Sequence, residues 1–144
     1  MSIISRIRDW INETCPFLDE FRELFVDYLG ADMDCYCLEV SPSEPIVKRM
    51  INGDTVRRKT FSFCSRVMYD PLDNIDTSDF FEDFSEWLEE STNGGTLPVL
   101  KEGQEAKSIK ATTDGYLYDQ NGLKAQYRIQ CEFIYYQKNQ KRRD

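Results

Sequence analysis

The stretch AQYRIQCEFIY, residues 125–135, decides how the rest of the chain is read. Ala125, Tyr127, Ile129, Cys131, Phe133 and Tyr135 alternate with Gln126, Arg128, Gln130, Glu132 and Ile134. Successive side chains of a strand point to opposite faces, so this period of two describes a strand with one buried and one wet face, as in an antiparallel sheet covered on one side. A partner lies upstream. Residues 46–51 and 55–67 flank Asn52-Gly53-Asp54, and Asn-Gly accepts the positive φ of a hairpin turn. In the second arm Phe61 and Phe63 point one way, and Thr60, Ser62 and Cys64 the other.

Two amphipathic helices supply the cover. Ile3, Ile4, Ile7, Trp10 and Ile11 recur at helical spacing, Ser2 is placed to cap the start, and Pro16 opposes continuation past Thr14 or Cys15. Phe80, Phe81, Phe84, Trp87 and Leu88 form the apolar stripe of a second helix, capped at Asp76, Thr77 or Ser78, ending near Ser91 and stopped by Asn93-Gly94-Gly95. Residues 17–24 read as a turn of helix or an irregular linker, 25–29 as extended, 30–34 as a turn and 35–40 as a strand. Pro42 and Pro45 make a stiff connector, and Tyr69-Asp70-Pro71 ends the hairpin's second strand. Further strands are expected over 107–113 and 116–118, separated from the last strand by a turn at 119–122. The expected fold is α+β: a mostly antiparallel β-sheet with two helices on one face and a protruding β-hairpin. A single domain is expected over 1–137, with a basic, disordered tail at 138–144.

Composition narrows the function. With 144 residues, nine Phe, eight Tyr and two Trp, the chain has the material for a core without metals or disulfides. A net charge of −8 argues against general nucleic-acid binding, and no specific nucleic-acid partner is expected. The five cysteines, Cys15, Cys35, Cys37, Cys64 and Cys131, form no CxxC pair and the chain has no histidine, which points to a reducing compartment and away from Cys/His metal sites. No apolar run has the length of a membrane span, and the N-terminus lacks the pattern of a signal peptide, so a protein made in the cytoplasm and free of the membrane is expected. GxSxG, HExxH, P-loop and GxGxxG motifs are all missing. The expectation is no enzyme, with no catalytic residue, no cofactor and no metal.

Charge is the remaining signal. Between Arg66 and Lys101 there is no cationic side chain, while Asp70, Asp73, Asp76, Asp79, Glu82, Asp83, Glu86, Glu89 and Glu90 are acidic. Just upstream, Lys48, Arg49, Arg57, Arg58, Lys59 and Arg66 cluster across the hairpin. Exposed ion pairs contribute only about 0–1 kcal/mol each, so such segregation serves docking better than folding. The expected subunit or partner interface sets Lys48, Arg49, Asn52, Gly53, Arg57, Arg58 and Lys59 of one copy against Asp79, Glu82, Asp83, Glu86, Glu89 and Glu90 of the next, a head-to-tail contact that closes into a ring. A solvated acidic helix, or one paired within the chain to the hairpin, is the alternative.

Several strings in order carry a resemblance: TCPFLDEF (14–21), VDYLG (26–30), PSEPIVKRMINGD (42–54), FSFCSRVMYDP (61–71), FFEDFSEWLEE (80–90), LPVLKEGQEAKSI (97–109), TTDGYLYD (112–119) and AQYRIQCEFIYYQ (125–137). The chain resembles, over residues 3–137, the minor structural proteins encoded in head-to-tail gene clusters of long-tailed bacteriophages and prophages of Gram-positive bacteria. These are often labelled minor capsid proteins and look like tail terminators. The resemblance implies an α+β fold and a homo-oligomeric ring, hexameric in tail terminators, that caps the tail tube and offers a surface for head joining. Implied partners are further copies of the chain, the tail tube protein and a head-completion or neck protein, and the implied location is the virion after synthesis in the host bacterial cytoplasm. A neck or head-completion role, or an acidic interaction module outside the virion, are the other readings.

Overall fold

A computed structural model describes residues 2–18, 24–27, 35–68, 73–121 and 124–139. The elements in chain order are α1 (Ile3–Thr14), β1 (Leu24–Val26), β2 (Cys35–Ser41), β3 (Ile46–Arg49), β4 (Thr55–Met68), α2 (Asp73–Gly94), β5 (Gln104–Ala111), β6 (Tyr116–Asn121) and β7 (Lys124–Gln137). The expected turn at 30–34, the strand stop at Tyr69-Asp70-Pro71 and the Gly122 end of the last turn lie outside the described residues.

The spine is an antiparallel ribbon. β4 and β7, each of 14 residues, pair along their whole length, from Thr55 opposite Gln137 to Met68 opposite Lys124. Each outer edge of this ribbon is shared by two shorter strands placed end to end: β2 and β3 along β4, β6 and β5 along β7. β1 joins outside β2 in parallel, giving a mixed, mostly antiparallel sheet of 7 strands.

Register explains the core. Phe61 sits opposite Cys131 and Phe63 opposite Ile129, while Leu38 lies opposite Phe63 on the other side of β4. These side chains share one face, and both helices close over it. Ile4, Ile7 and Ile11 of α1 and Phe81, Phe84 and Leu88 of α2 are buried in the same cluster. Phe84 stacks on Phe63 with centroids 4.6 Å apart, and Trp10 stacks on Trp87 at 4.7 Å, locking the two helices together.

The helix ends follow local rules. Ser2 Oγ accepts the backbone N–H of Ser5 at 3.2 Å, and Cys15, preceding a proline, leaves the helix in an extended conformation. α2 begins at Asp73, so Asp76, Thr77 and Ser78 lie inside it and not at its cap. It ends as expected on glycine: Gly95 has φ 77, and Thr96 N–H reaches Ser91 C=O at 3.0 Å while Gly95 N–H reaches Thr92 C=O at 3.4 Å. Thr92 also meets the sheet, its hydroxyl donating to Ile109 C=O at 2.8 Å and accepting from Ile109 N–H at 3.0 Å.

Two strand boundaries differ from expectation. β5 starts at Gln104, and β6 runs through Asp119-Gln120-Asn121, which the polar composition marks as a turn. The long ladder of β7 supplies backbone partners out to Asn121 opposite Lys124, and an edge strand accepts polar side chains that a central one would not. At the other end the chain stays anchored beyond Gln137, since Lys138 N–H donates to Gly103 C=O at 2.8 Å.

All five cysteines are buried thiols outside any disulfide. Cys35 and Cys37 share the face away from the helices, and Cys37 lies directly opposite Cys64. Burial pushes the Cys64 thiol up to about 12, and burial likewise pushes up Cys131 and Cys15. The neutral thiol is a poor nucleophile. A thiol reagent added to the native protein at pH 8 should therefore label none of the five promptly and all of them after denaturation. Phe63→Ala removes the ring on which Phe84 stacks and should lower unfolding stability by about 3–5 kcal/mol in a denaturant titration.

Candidate interaction surfaces

The hairpin is built differently from a free two-stranded arm. Its second strand is backed by β7 throughout, so only β3 and the connecting turn stand clear of the sheet. β3 ends at Arg49, and Met50 pairs with Asp54 through Met50 N–H to Asp54 C=O at 2.8 Å. Gly53 N–H closes the inner turn onto Met50 C=O at 3.0 Å, and Gly53 alone of the loop takes a positive φ, 92. Ile51, expected within the first strand, is thereby lifted to the tip with a relative exposure of 109%.

A latch fixes this tip. Asp54 accepts from the Tyr136 hydroxyl through Oδ2, and from Asn139 N–H through Oδ1 at 2.7 Å. Asn52 Oδ1 accepts from Asp54 N–H at 3.0 Å, and Asn52 Nδ2 donates back to Asp54 Oδ2 at 3.1 Å. Two predicted interface residues, Asn52 and Gly53, are thus the turn's scaffold. A Cβ on Gly53 would come within 2.2 Å of the Asn139 side-chain amide, which would have to move, and φ 92 is strained for any residue that carries a Cβ.

The basic residues divide between faces. Arg49 and Arg57 share the side of Phe61, whereas Lys48 and Arg58 lie on the opposite side. Arg57 Nε donates to Thr55 Oγ1 at 3.0 Å. Arg58 is committed within the chain, its Nε lying 3.2 Å from Glu132 Oε2. Lys59, like Arg57, is half-buried. Lys48 and Arg49 are the exposed pair.

On α2 the reading of the sequence is reproduced: Asp79, Glu82, Asp83, Glu86, Glu89 and Glu90 are all exposed, opposite the aromatic stripe. Among the described residues none of these six carboxylates forms a salt bridge, so the intramolecular pairing with the hairpin is not made there. The spacings 79–83, 82–86 and 86–90 set like charges one turn apart, each costing about 0.2–0.5 kcal/mol. No basic residue stands in the last turn to relieve the helix dipole. The acidic face is a burden on the helix, held by the aromatic stripe beneath it.

A third cluster escaped the sequence reading. On the face of the sheet away from the helices, Arg128 pairs with Glu39 and lies over the ring of Tyr118, 3.6 Å from its centroid. These three residues come from β7, β2 and β6, and no local spacing brings them together. They shield the polar side of the sheet beside Cys64. Among the described residues no group of three or more Cys, Asp or Glu is placed to hold a metal ion, and no helix is long and apolar enough to cross a membrane.

Comparison of the sequence with protein-family models and with curated proteins finds no match.

The latch is titratable. Its hydrogen bond to Asp54 is the main cause that raises the Tyr136 hydroxyl above its ordinary value of 10.0. The raised pKa belongs to the folded form, so the latch's contribution is complete below pH 10.0 and is lost as the pH rises through the raised value. Tyr136→Phe should leave the global fold intact while speeding amide exchange at Met50 and Gly53. In wild type the same acceleration, beyond the intrinsic base-catalysed rate, should appear only above pH 10.0.

Proposed function

We propose that this chain is a non-enzymatic virion assembly protein, a tail terminator whose copies form a ring on the end of a phage tail tube and present a surface for head joining. The observation that carries the reading is the coexistence of an exposed basic pair on the hairpin, Lys48 and Arg49, with an exposed acidic face of α2 that forms no salt bridge among the described residues. An arrangement of this kind stabilises little inside one molecule, whereas between molecules opposite potentials steer approach and fix orientation. The α+β sheet with helices on one face and the ordered strings spanning residues 3–137 support the same family resemblance. In this reading the protein acts by shape and charge, with further copies of itself, the tail tube protein and a head-completion protein as partners.

The test is a mass measurement by light scattering across protein concentration and salt, with and without purified tail tubes, followed by imaging of tube ends. Ring-sized particles, or caps at tube ends, are expected, with assembly weakened as salt rises. Lys48→Glu with Arg49→Glu should abolish the caps and keep the native circular dichroism spectrum, because both side chains are exposed. Bare tube ends at every concentration of wild-type protein would overturn the terminator reading.

A further inference from the structure

We infer that the hairpin tip of one copy seats in an acidic cleft beside α2 of a second copy, with Ile51 as the apolar knob and Lys48 and Arg49 as its flanking charges. The contact rests on the self-assembling part of the reading above and adds to it a socket that the sequence did not show. A cleft of about 400 Å³ opens between α2 and the turn that carries Asp114 and Gly115. Glu82 and Glu86, one helical turn apart, line it with Asp114, Ser78 and Ser85, above Phe81 and Ile129, which are themselves almost wholly buried. Among the described residues no cation neutralises that rim. The cleft owes its depth to Gly115, where a Cβ would stand 2.5 Å from the Phe81 side chain.

The tip matches this socket in charge. Ile51 is an aliphatic side chain held wholly in solvent, on a turn made rigid by the Asp54 latch, so little ordering is lost when it docks. Beside it stand the exposed Lys48 and Arg49. Docking takes Ile51 out of water and brings the two cations to the acidic rim.

Topology makes the contact intermolecular. β3 lies outside β4, whereas the cleft lies on the β5 and β6 side of β7. With strands about 4.8 Å apart, knob and socket are separated by roughly 14 Å of sheet. The tip is also tied to its own β7 through Asp54, Tyr136 and Asn139. Two different patches on opposite edges give a heterologous contact, which propagates from copy to copy and closes where the rotation allows.

The experiment mixes a chain carrying Ile51→Cys with one carrying Glu82→Cys under mild oxidation, the native thiols being buried. A disulfide between unlike chains, lost at high salt, is the expected product. Ile51→Asp should weaken self-association about tenfold or more, as loss of a hot-spot side chain does. Lys48→Glu with Arg49→Glu, and Glu82→Lys with Glu86→Lys, should each remain monomeric alone and assemble when mixed. A symmetric disulfide between two Ile51→Cys chains as the main product, no linkage at all, or unchanged association of the Ile51→Asp variant would overturn the contact. Tubes capped without the unlike-chain disulfide would overturn the contact and keep the terminator reading; the disulfide formed in solution with tubes left bare would do the reverse.

Discussion

Everything in this fold hangs on the backbone ladder between β4 and β7. Fourteen residues pair with fourteen, without a bulge, so the parity of each strand is fixed from one end to the other. A slip of one residue would turn Phe61 and Phe63 away from the helices and expose the row from Tyr127 to Tyr135. The ladder also sets the outer sheet. Because each long strand offers more edge than any short strand can use, two short strands divide it, and the bulges fall in those flanking pairings and not in the ribbon.

That division separates tasks along the molecule. The middle of the ribbon carries the aromatic core and both helices, and its hairpin end carries polar, latched structure. The two faces differ as well. One is sealed by helices, and the other by long polar side chains, with Arg128 spread between Glu39 and Tyr118. Charge that would weaken a core is therefore placed where the ribbon already supplies stability, on the outside of α2 and at the free end of the hairpin.

What was legible in the sequence was what is periodic or punctuated. The alternation from Ala125 to Tyr135, the apolar stripes of both helices, the stop at Pro16 and the glycine end of α2 all depend on neighbours within a few residues, and all appear where expected. The acidic face of α2 was readable for the same reason. The extended run at 25–29 was legible in part as β1, but its parallel pairing with the next strand was not, since consecutive strands so close in the chain usually pair antiparallel. Nor was Ile51 readable as a solvent-exposed tip: an isoleucine two residues past a four-residue strand looks like its continuation, and only the Met50–Asp54 closure moves it into the loop. Arg58 seemed equivalent to Arg57, but adjacent strand residues face opposite ways, and Glu132, diagonal to Arg58 on the same face of β7, pairs with it alone. The cleft beside Phe81 is a product of α2 meeting a turn more than thirty residues downstream, which no window of sequence contains.

One small feature carries further. The hydroxyl of Thr92 both gives and takes a hydrogen bond at Ile109, filling that residue's outward-facing backbone groups as an eighth strand would. A helix side chain thus impersonates a strand at that one residue and breaks the run of backbone groups that a foreign chain could pair with. A foreign strand meeting that flank finds the β5 margin interrupted at Ile109, a local obstacle to the edge-to-edge pairing from which cross-β fibres grow.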